Sequence, residues 1–229
     1  MAFKQTTPKS STKLQSISMV IRALVYLNIK SDSGSFTGGL MWKFIRPVIF
    51  SFLFAMFITL IRGSNDLLYS FQLFYLPFVF YFFIADLILN AGNLAGKDNL
   101  LNLPRVNHLV LIFASPLSQL IMFIPQAIIA ICIYVYLLRE IDWFLFLQIF
   151  FLSSFFGTFF YCLMSLLLYQ SPFLNQIYQL ATRPLIFISA VFYPVEILSQ
   201  QFRHYILYNP IVSIMEFCRK FAQYDGEIF

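Results

Sequence analysis

The sequence predicts an all-α helical bundle that crosses a membrane several times. Three observations carry that expectation. Of 229 residues, 60% are hydrophobic and only 11% charged, too few charges to cover the surface of a water-soluble domain of this size. Mean hydropathy is +0.78, and the apolar residues gather into runs of bilayer length. The Lys and Arg residues concentrate before the first such run, which is a topology pattern and not a nucleic-acid patch. Thirty phenylalanines and ten prolines suit long apolar helices, where neighbours satisfy the backbone that a proline frees.

The chain reads as one transmembrane domain, residues 1–229, with four zones. Residues 1–13 form a polar tail carrying Lys4, Lys9 and Lys13, without the apolar core of a secretory signal. In residues 14–30, Leu14, Ile17, Ile21 and Leu24 share one helical face while Lys13, Arg22 and Lys30 reach polar surroundings. That pattern predicts an amphipathic interface helix in the membrane plane, or one packed on a partner. Trp42, Lys43 and Arg46 then anchor a first span from Pro47 to Ile61. A second runs from Phe71 to Leu89, a third from Leu109 to Leu138, a fourth from Trp143 to Tyr169 and a fifth from Ile177 to Phe192. Residues 47–198 therefore hold five predicted spans, and residues 199–229 an external hairpin and tail.

Lys4, Lys9, Lys13, Arg22, Lys30, Lys43 and Arg46 precede the first span, and Lys97 and Arg105 follow the second. The first and third connections hold one basic residue each, Arg62 and Arg139, so the N-terminus is expected on the cytoplasmic side. Asp86 sits inside the second run. It costs about 2.5–3.5 kcal/mol at a helix centre, against about 0.3–0.6 returned by each apolar neighbour, so the span survives. The expected role for Asp86 is a helix-end carboxylate contacting the connection that follows.

Chemistry-bearing patterns are sparse. No GxxxxGK followed by Ser or Thr cradles a phosphate, and His108 and His204 have no nearby Ser or Cys in a catalytic spacing. Three cysteines without a CxxC and two distant histidines predict no metal site. The pattern argues against an enzyme. It leaves mechanical features instead. In "NLAGKDNLLNLP", Leu94, Lys97, Asp98, Leu101 and Leu103 mix apolar and charged positions on a short helix that Pro104 ends, either a docking element presenting Leu100 and Leu101 or an ordinary loop. After Phe192, Pro194 breaks the apolar run and Glu196 and Arg203 bring polar character. Asn209 and Pro210 are a good N-cap and first helical residue. Ile211, Met215, Cys218 and Ala222 then recur at helical spacing, with Ser213, Glu216 and Lys220 opposite. This predicts a re-entrant pair of short helices, which protein or a water-filled cavity must receive.

The stretches "GGLMWKFIRPVI", "NLLNLPRVNHLVLIFASPLSQ" and "FYPVEILSQQFRHYILYNPIVSIMEFCR" resemble the permease subunit of ATP-binding-cassette exporters of capsular polysaccharide, with O-antigen and teichoic acid exporters as wider relatives. The resemblance implies a multi-pass subunit of the bacterial inner membrane that forms a homodimeric channel for a polysaccharide. It implies no bound cofactor and no nucleic acid; ATP and magnesium sit on a separate ATPase subunit. A periplasmic co-polymerase and an outer-membrane exporter continue the path. Asn93, Leu94, Lys97, Asp98, Leu100, Leu101 and Arg105 correspond to the ATPase-coupling helix, and residues 14–29 to the interface helix. Phe50, Phe54, Phe187 and Tyr193 are the implied channel-lining candidates; Pro194, Glu196, Arg203, Asn209, Pro210 and Glu216 belong to the external hairpin. Family members continue into a sixth span, whereas this sequence stops at "QYDGEIF". The expectation is therefore a family fold lacking that span, either transport-competent or a truncated, regulatory homologue.

Overall fold

A computed structural model describes residues 10–32, 38–62, 66–92, 108–138, 142–169 and 171–222. Among these residues the chain is all-helical, and four helices are long and apolar enough to cross a membrane. In chain order they follow α1 (Ser10–Asp32): α2 (Gly38–Arg62), α3 (Leu67–Ala91), α4 (His108–Leu138) and α5 (Trp143–Tyr169). Five shorter elements complete the described part: α6 (Pro172–Thr182), α7 (Leu185–Ile188), a 3-10 turn (Val195–Ile197), α8 (Gln200–Ile206) and α9 (Pro210–Phe221).

The bundle is built around α3. Of its membrane-length window 78% is buried, against 17% for α2, because α2, α4, α5 and α9 all pack on it. Rings fill the contact: Phe83 stacks on Phe123 of α4 at 4.0 Å, and Phe80 meets Phe146 of α5 edge-on at 6.1 Å. Three buried hydroxyls return to their own helix backbone, Ser51 to the Pro47 carbonyl and Ser153 and Ser165 to those of Ile149 and Tyr161, so these three cost little inside. Gly157 lets α5 approach α3 closely; a Cβ there would lie 2.6 Å from Leu87 Cδ1.

Three expectations are revised. First, the helix containing the first span starts at Gly38, not near Pro47, and carries Lys43 and Arg46 inside it. It can do so because the Lys43 ammonium donates to Gln119 Oε1 of α4 at 3.1 Å and Arg46 pairs with Asp86 of α3 at 3.3 Å. Second, Asp86 has a partner its expected role did not include, Arg46, whose guanidinium also lies 3.7 Å from the Phe82 ring centre; the connection that follows α3 lies outside the described residues. Third, the run from Ile177 to Phe192 is not one helix. Pro184 lacks an N–H and its ring obstructs the preceding turn, so α6 ends at Thr182. After the single turn of α7, Ala190 adopts a left-handed φ of 52° in the position where a helix-ending glycine commonly stands.

The N-terminal helix lies along α4, with Leu24 buried and Ile21 partly buried in the main core. The side chains of Leu14 and Ile17 lie outside the described residues, as do all of Asn93, Leu94, Lys97, Asp98, Leu100, Leu101 and Arg105.

Gly157→Leu is expected to lower stability by about 1–3 kcal/mol through overpacking against Leu87. Adding Leu87→Ala should recover part of that loss. Thermal unfolding of the three variants in detergent checks this, and independent, additive effects would contradict the close approach.

Candidate functional site

The groove between α3 and α5 holds both α6 and α9. The α6 helix starts beside the C-terminal end of α3: Asn175 Nδ2 donates to the Gly92 carbonyl at 2.9 Å and the Tyr178 hydroxyl to that of Ile88 at 2.7 Å. Ser171 caps it, its hydroxyl accepting from the Leu174 N–H at 3.4 Å. The α9 helix takes over further along. Ile211 shares a cleft with Ile84, and Phe221 packs on Tyr134, whose hydroxyl donates to the Gln72 carbonyl near the start of α3. These are two half-helices of 11 and 12 residues following one another antiparallel to α3. At 1.5 Å per residue they cover about 34 Å together, the thickness of a bilayer core. Residues 183–209 form an insertion between these two helices.

One side chain ties the insertion to the span. Arg219 of α9 is 0% exposed, and its guanidinium donates to the Ala190 and Val191 carbonyls while pairing with Glu216 at 2.5 Å. Glu216 Oε1 in turn accepts from the Val195 N–H at 3.2 Å. The guanidinium thus satisfies two carbonyls that the irregular turn leaves without helical partners. It also fixes the left-handed Ala190, a conformation that costs an ordinary residue about 1–2 kcal/mol.

Held this way, Phe192 stacks on Phe54 of α2 with ring centres 4.3 Å apart. Phe78 completes the cluster, 5.6 Å from Phe54 and 5.7 Å from Phe192, and Phe50 meets Phe82 edge-on at 5.4 Å. Phe187 is 65% exposed, and its carbonyl accepts from the Tyr193 hydroxyl at 2.9 Å. Phe54 and Phe187 therefore both meet Phe192 at a seam between α2 and the insertion, while Phe50 packs beside it on Phe78 and Phe82 of α3. Phe50 and Phe54 are partly buried against α3, and Phe187 is the outward member. Beside the seam a half-open cleft of ≈ 330 Å³ is walled by Phe50, Phe82, Ile84, Leu185 and Ile186, with Arg46 and Arg183 also lining it.

The hairpin residues divide into two groups. Asn209 and Pro210 start α9 as expected, the Asn209 side chain accepting from the Ile211 N–H at 3.0 Å. Glu216 joins the buried clamp. Pro194 precedes the 3-10 turn, while Glu196 and Arg203 form an exposed pair at 3.8 Å. Ile211, Met215, Cys218 and Ala222 are buried on one face, as their spacing predicts. Arg219 was not among the predicted site residues. Its signal was its placement next to Cys218 and three residues after Glu216, inside the apolar stripe of α9. Among the described residues no group of three His, Cys, Asp or Glu is placed to hold a metal ion.

Arg219→Met is expected to cost about 3–5 kcal/mol, because it leaves the Glu216 carboxylate enclosed without its cation and the turn carbonyls without a donor. Glu216→Gln keeps an acceptor for Val195 and should cost less. Thermal unfolding in detergent followed by circular dichroism ranks the two; an Arg219→Met midpoint at or above that of Glu216→Gln contradicts the clamp. No protein-family model matches the chain, and no curated protein matches it.

Proposed function

We propose that this chain is the transmembrane subunit of an ATP-binding-cassette exporter that passes a lipid-linked glycan, in the first instance a capsular polysaccharide, out through the bacterial inner membrane. The observation that carries the reading is the aromatic seam at which Phe54 of α2 meets Phe192 of the broken span. Sugar rings present C–H faces that pack on aromatic faces without the strong, localised hydrogen bonds that would stall a sliding polymer. The interruption between α6 and α9 supports the same reading, since irregular backbone packed within a membrane bundle is typical of transport proteins that line a path.

With no phosphate-cradling motif in its sequence, the chain takes its driving force from a separate ATPase subunit, docked at residues 93–105. Two copies form the conduit. The large apolar side chains exposed along α2 and α5, among them Phe57, Leu60, Phe151 and Phe155, are covered by lipid and by the second copy. The basic N-terminal segment lies on the cytoplasmic side. O-antigen and teichoic acid precursors share the physical requirements of capsule and are the related cargoes. A periplasmic co-polymerase and an outer-membrane exporter receive the product in the capsule case.

Two variants of the chain, co-purified with the neighbouring ATPase, test this. Leu101→Asp is expected to abolish glycan-stimulated ATP turnover, and Phe192→Ala to lower surface glycan several-fold in a permease-null strain while leaving the ATPase bound. Unchanged turnover in Leu101→Asp, or unchanged surface glycan in Phe192→Ala, counts against the reading.

A further inference from the structure

The half-open cleft between α2, α3 and α6–α7 has an uneven charge balance. Among the described residues, two guanidiniums, Arg46 and Arg183, line it, and one carboxylate, Asp86, lies beside it. Arg46 is committed to Asp86 and to the face of Phe82. Arg183 is exposed and makes no hydrogen bond or ion pair among the described residues. It follows α6 immediately and precedes Pro184, so the turn that breaks the span fixes its position.

The depth of this charged layer is informative. Asp86 lies five residues before Ala91, the last residue of α3, which is about 8 Å along the helix axis. From there a long guanidinium side chain can reach the headgroup layer that flanks a hydrocarbon core. Apart from Tyr81 and Thr182, the remaining walls are apolar, among them Phe50, Ile84, Leu185 and Ile186. A guanidinium within reach of the headgroups and beside an apolar slot matches one chemical class, an amphiphile with an anionic head and a hydrocarbon tail. A neutral zwitterionic lipid would bring its own cation toward Arg46 and Arg183, and a soluble anion would leave the apolar walls unfilled.

We propose that this cleft is a resident site for one anionic bilayer phospholipid, whose phosphate engages Arg183 and whose acyl chain lies on Leu185 and Ile186 between α2 and the broken span. The site is separate from the aromatic seam and requires only that the bundle sit in a membrane; it does not depend on the transport reading. A lipid there fills the space that the break leaves beside α2 and shields the backbone around Pro184.

The test uses the full chain, without any ATPase, in vesicles of phosphatidylcholine containing traces of photoactivatable phosphatidylglycerol or photoactivatable phosphatidylcholine. The phosphatidylglycerol probe is expected to label the peptide containing Leu185 and Ile186, and the phosphatidylcholine probe to label it several-fold less. Arg183→Gln should lower the phosphatidylglycerol labelling roughly ten-fold, the loss of one charge-assisted contact. Ile186→Trp, which fills the slot, should lower labelling by both probes. Circular dichroism confirms that each variant keeps its helices; Arg183→Gln, a change at an exposed side chain, keeps the test decisive if Ile186→Trp does not fold. Equal labelling by the two probes, an unaffected Arg183→Gln, or displacement by millimolar inorganic phosphate would each overturn the proposal, the last by assigning the site to a free anion.

Discussion

A single buried guanidinium underlies the whole C-terminal half of this fold. The irregular turn between α7 and the 3-10 turn leaves carbonyls without helical partners, and inside the bundle water is not there to take them. Arg219 supplies donors to the Ala190 and Val191 carbonyls, and Glu216 neutralises it while accepting the Val195 N–H. The arrangement is costly to assemble, since two charges leave water, and costlier to dismantle, since either partner alone would remain enclosed. Such a pair contributes little net stability over a well-packed apolar pair, but it permits one geometry of the turn. That geometry sets Phe192 on Phe54, so the position of an aromatic ring on the seam is determined by a charge on a different helix.

A second charge pair plays a comparable part at the other end of the bundle. Arg46 and Asp86 neutralise one another across α2 and α3, and the guanidinium packs over Phe82 instead of pointing into lipid. The pairing allows α2 to continue as regular helix through "MWKFIR", stretching the helix to 25 residues. Lys43 uses the same solution with Gln119 on α4. Both are ways of burying the polar end of a long side chain beside apolar surface, where isolated charges are expensive. They also bind α2 to both of its neighbours at the level where the cleft opens.

How much of this was legible beforehand depends on the type of signal. Apolar runs and composition were sufficient for four long helices, because length and hydropathy are local properties. The α9 stripe was equally legible: Ile211, Met215, Cys218 and Ala222 recur at helical spacing, and Asn209 with Pro210 marks its start. The fifth span misled for a specific reason. "RPLIFISAVFY" has the hydropathy of a crossing helix, and Pro184 at its edge reads as tolerable in a membrane. The path after Pro184 is set instead by the Ala190 and Val191 carbonyls, which accept from Arg219. That donor stands 29 residues from Ala190 in sequence, a contact invisible to any window along the chain. The Arg46 partner of Asp86 was hidden in the same way, since it lies 40 residues earlier. The candidate aromatic residues were nameable, but the meeting of Phe54 and Phe187 at Phe192 was not, because it follows from that distant clamp.

The two half-helices raise the question of why α3, and not the break, is the most buried element. A broken span has fewer internal hydrogen bonds to hold it straight, so it needs a rigid template along its full length. The α3 helix provides one: its rings at Phe74 and Phe82 meet α2, Phe78 meets the insertion, and Phe80 meets both α4 and α5. Close approach at Gly157 brings α5 onto the same template, so that α6 and α9 lie in one continuous groove despite the 27 residues between Thr182 and Pro210. The insertion can then adopt an irregular path, because both of its anchors are fixed on a common surface. Movement at the seam would have to come from residues 183–209 or from α2, whose outward face packs on nothing among the described residues, and not from the buried α3.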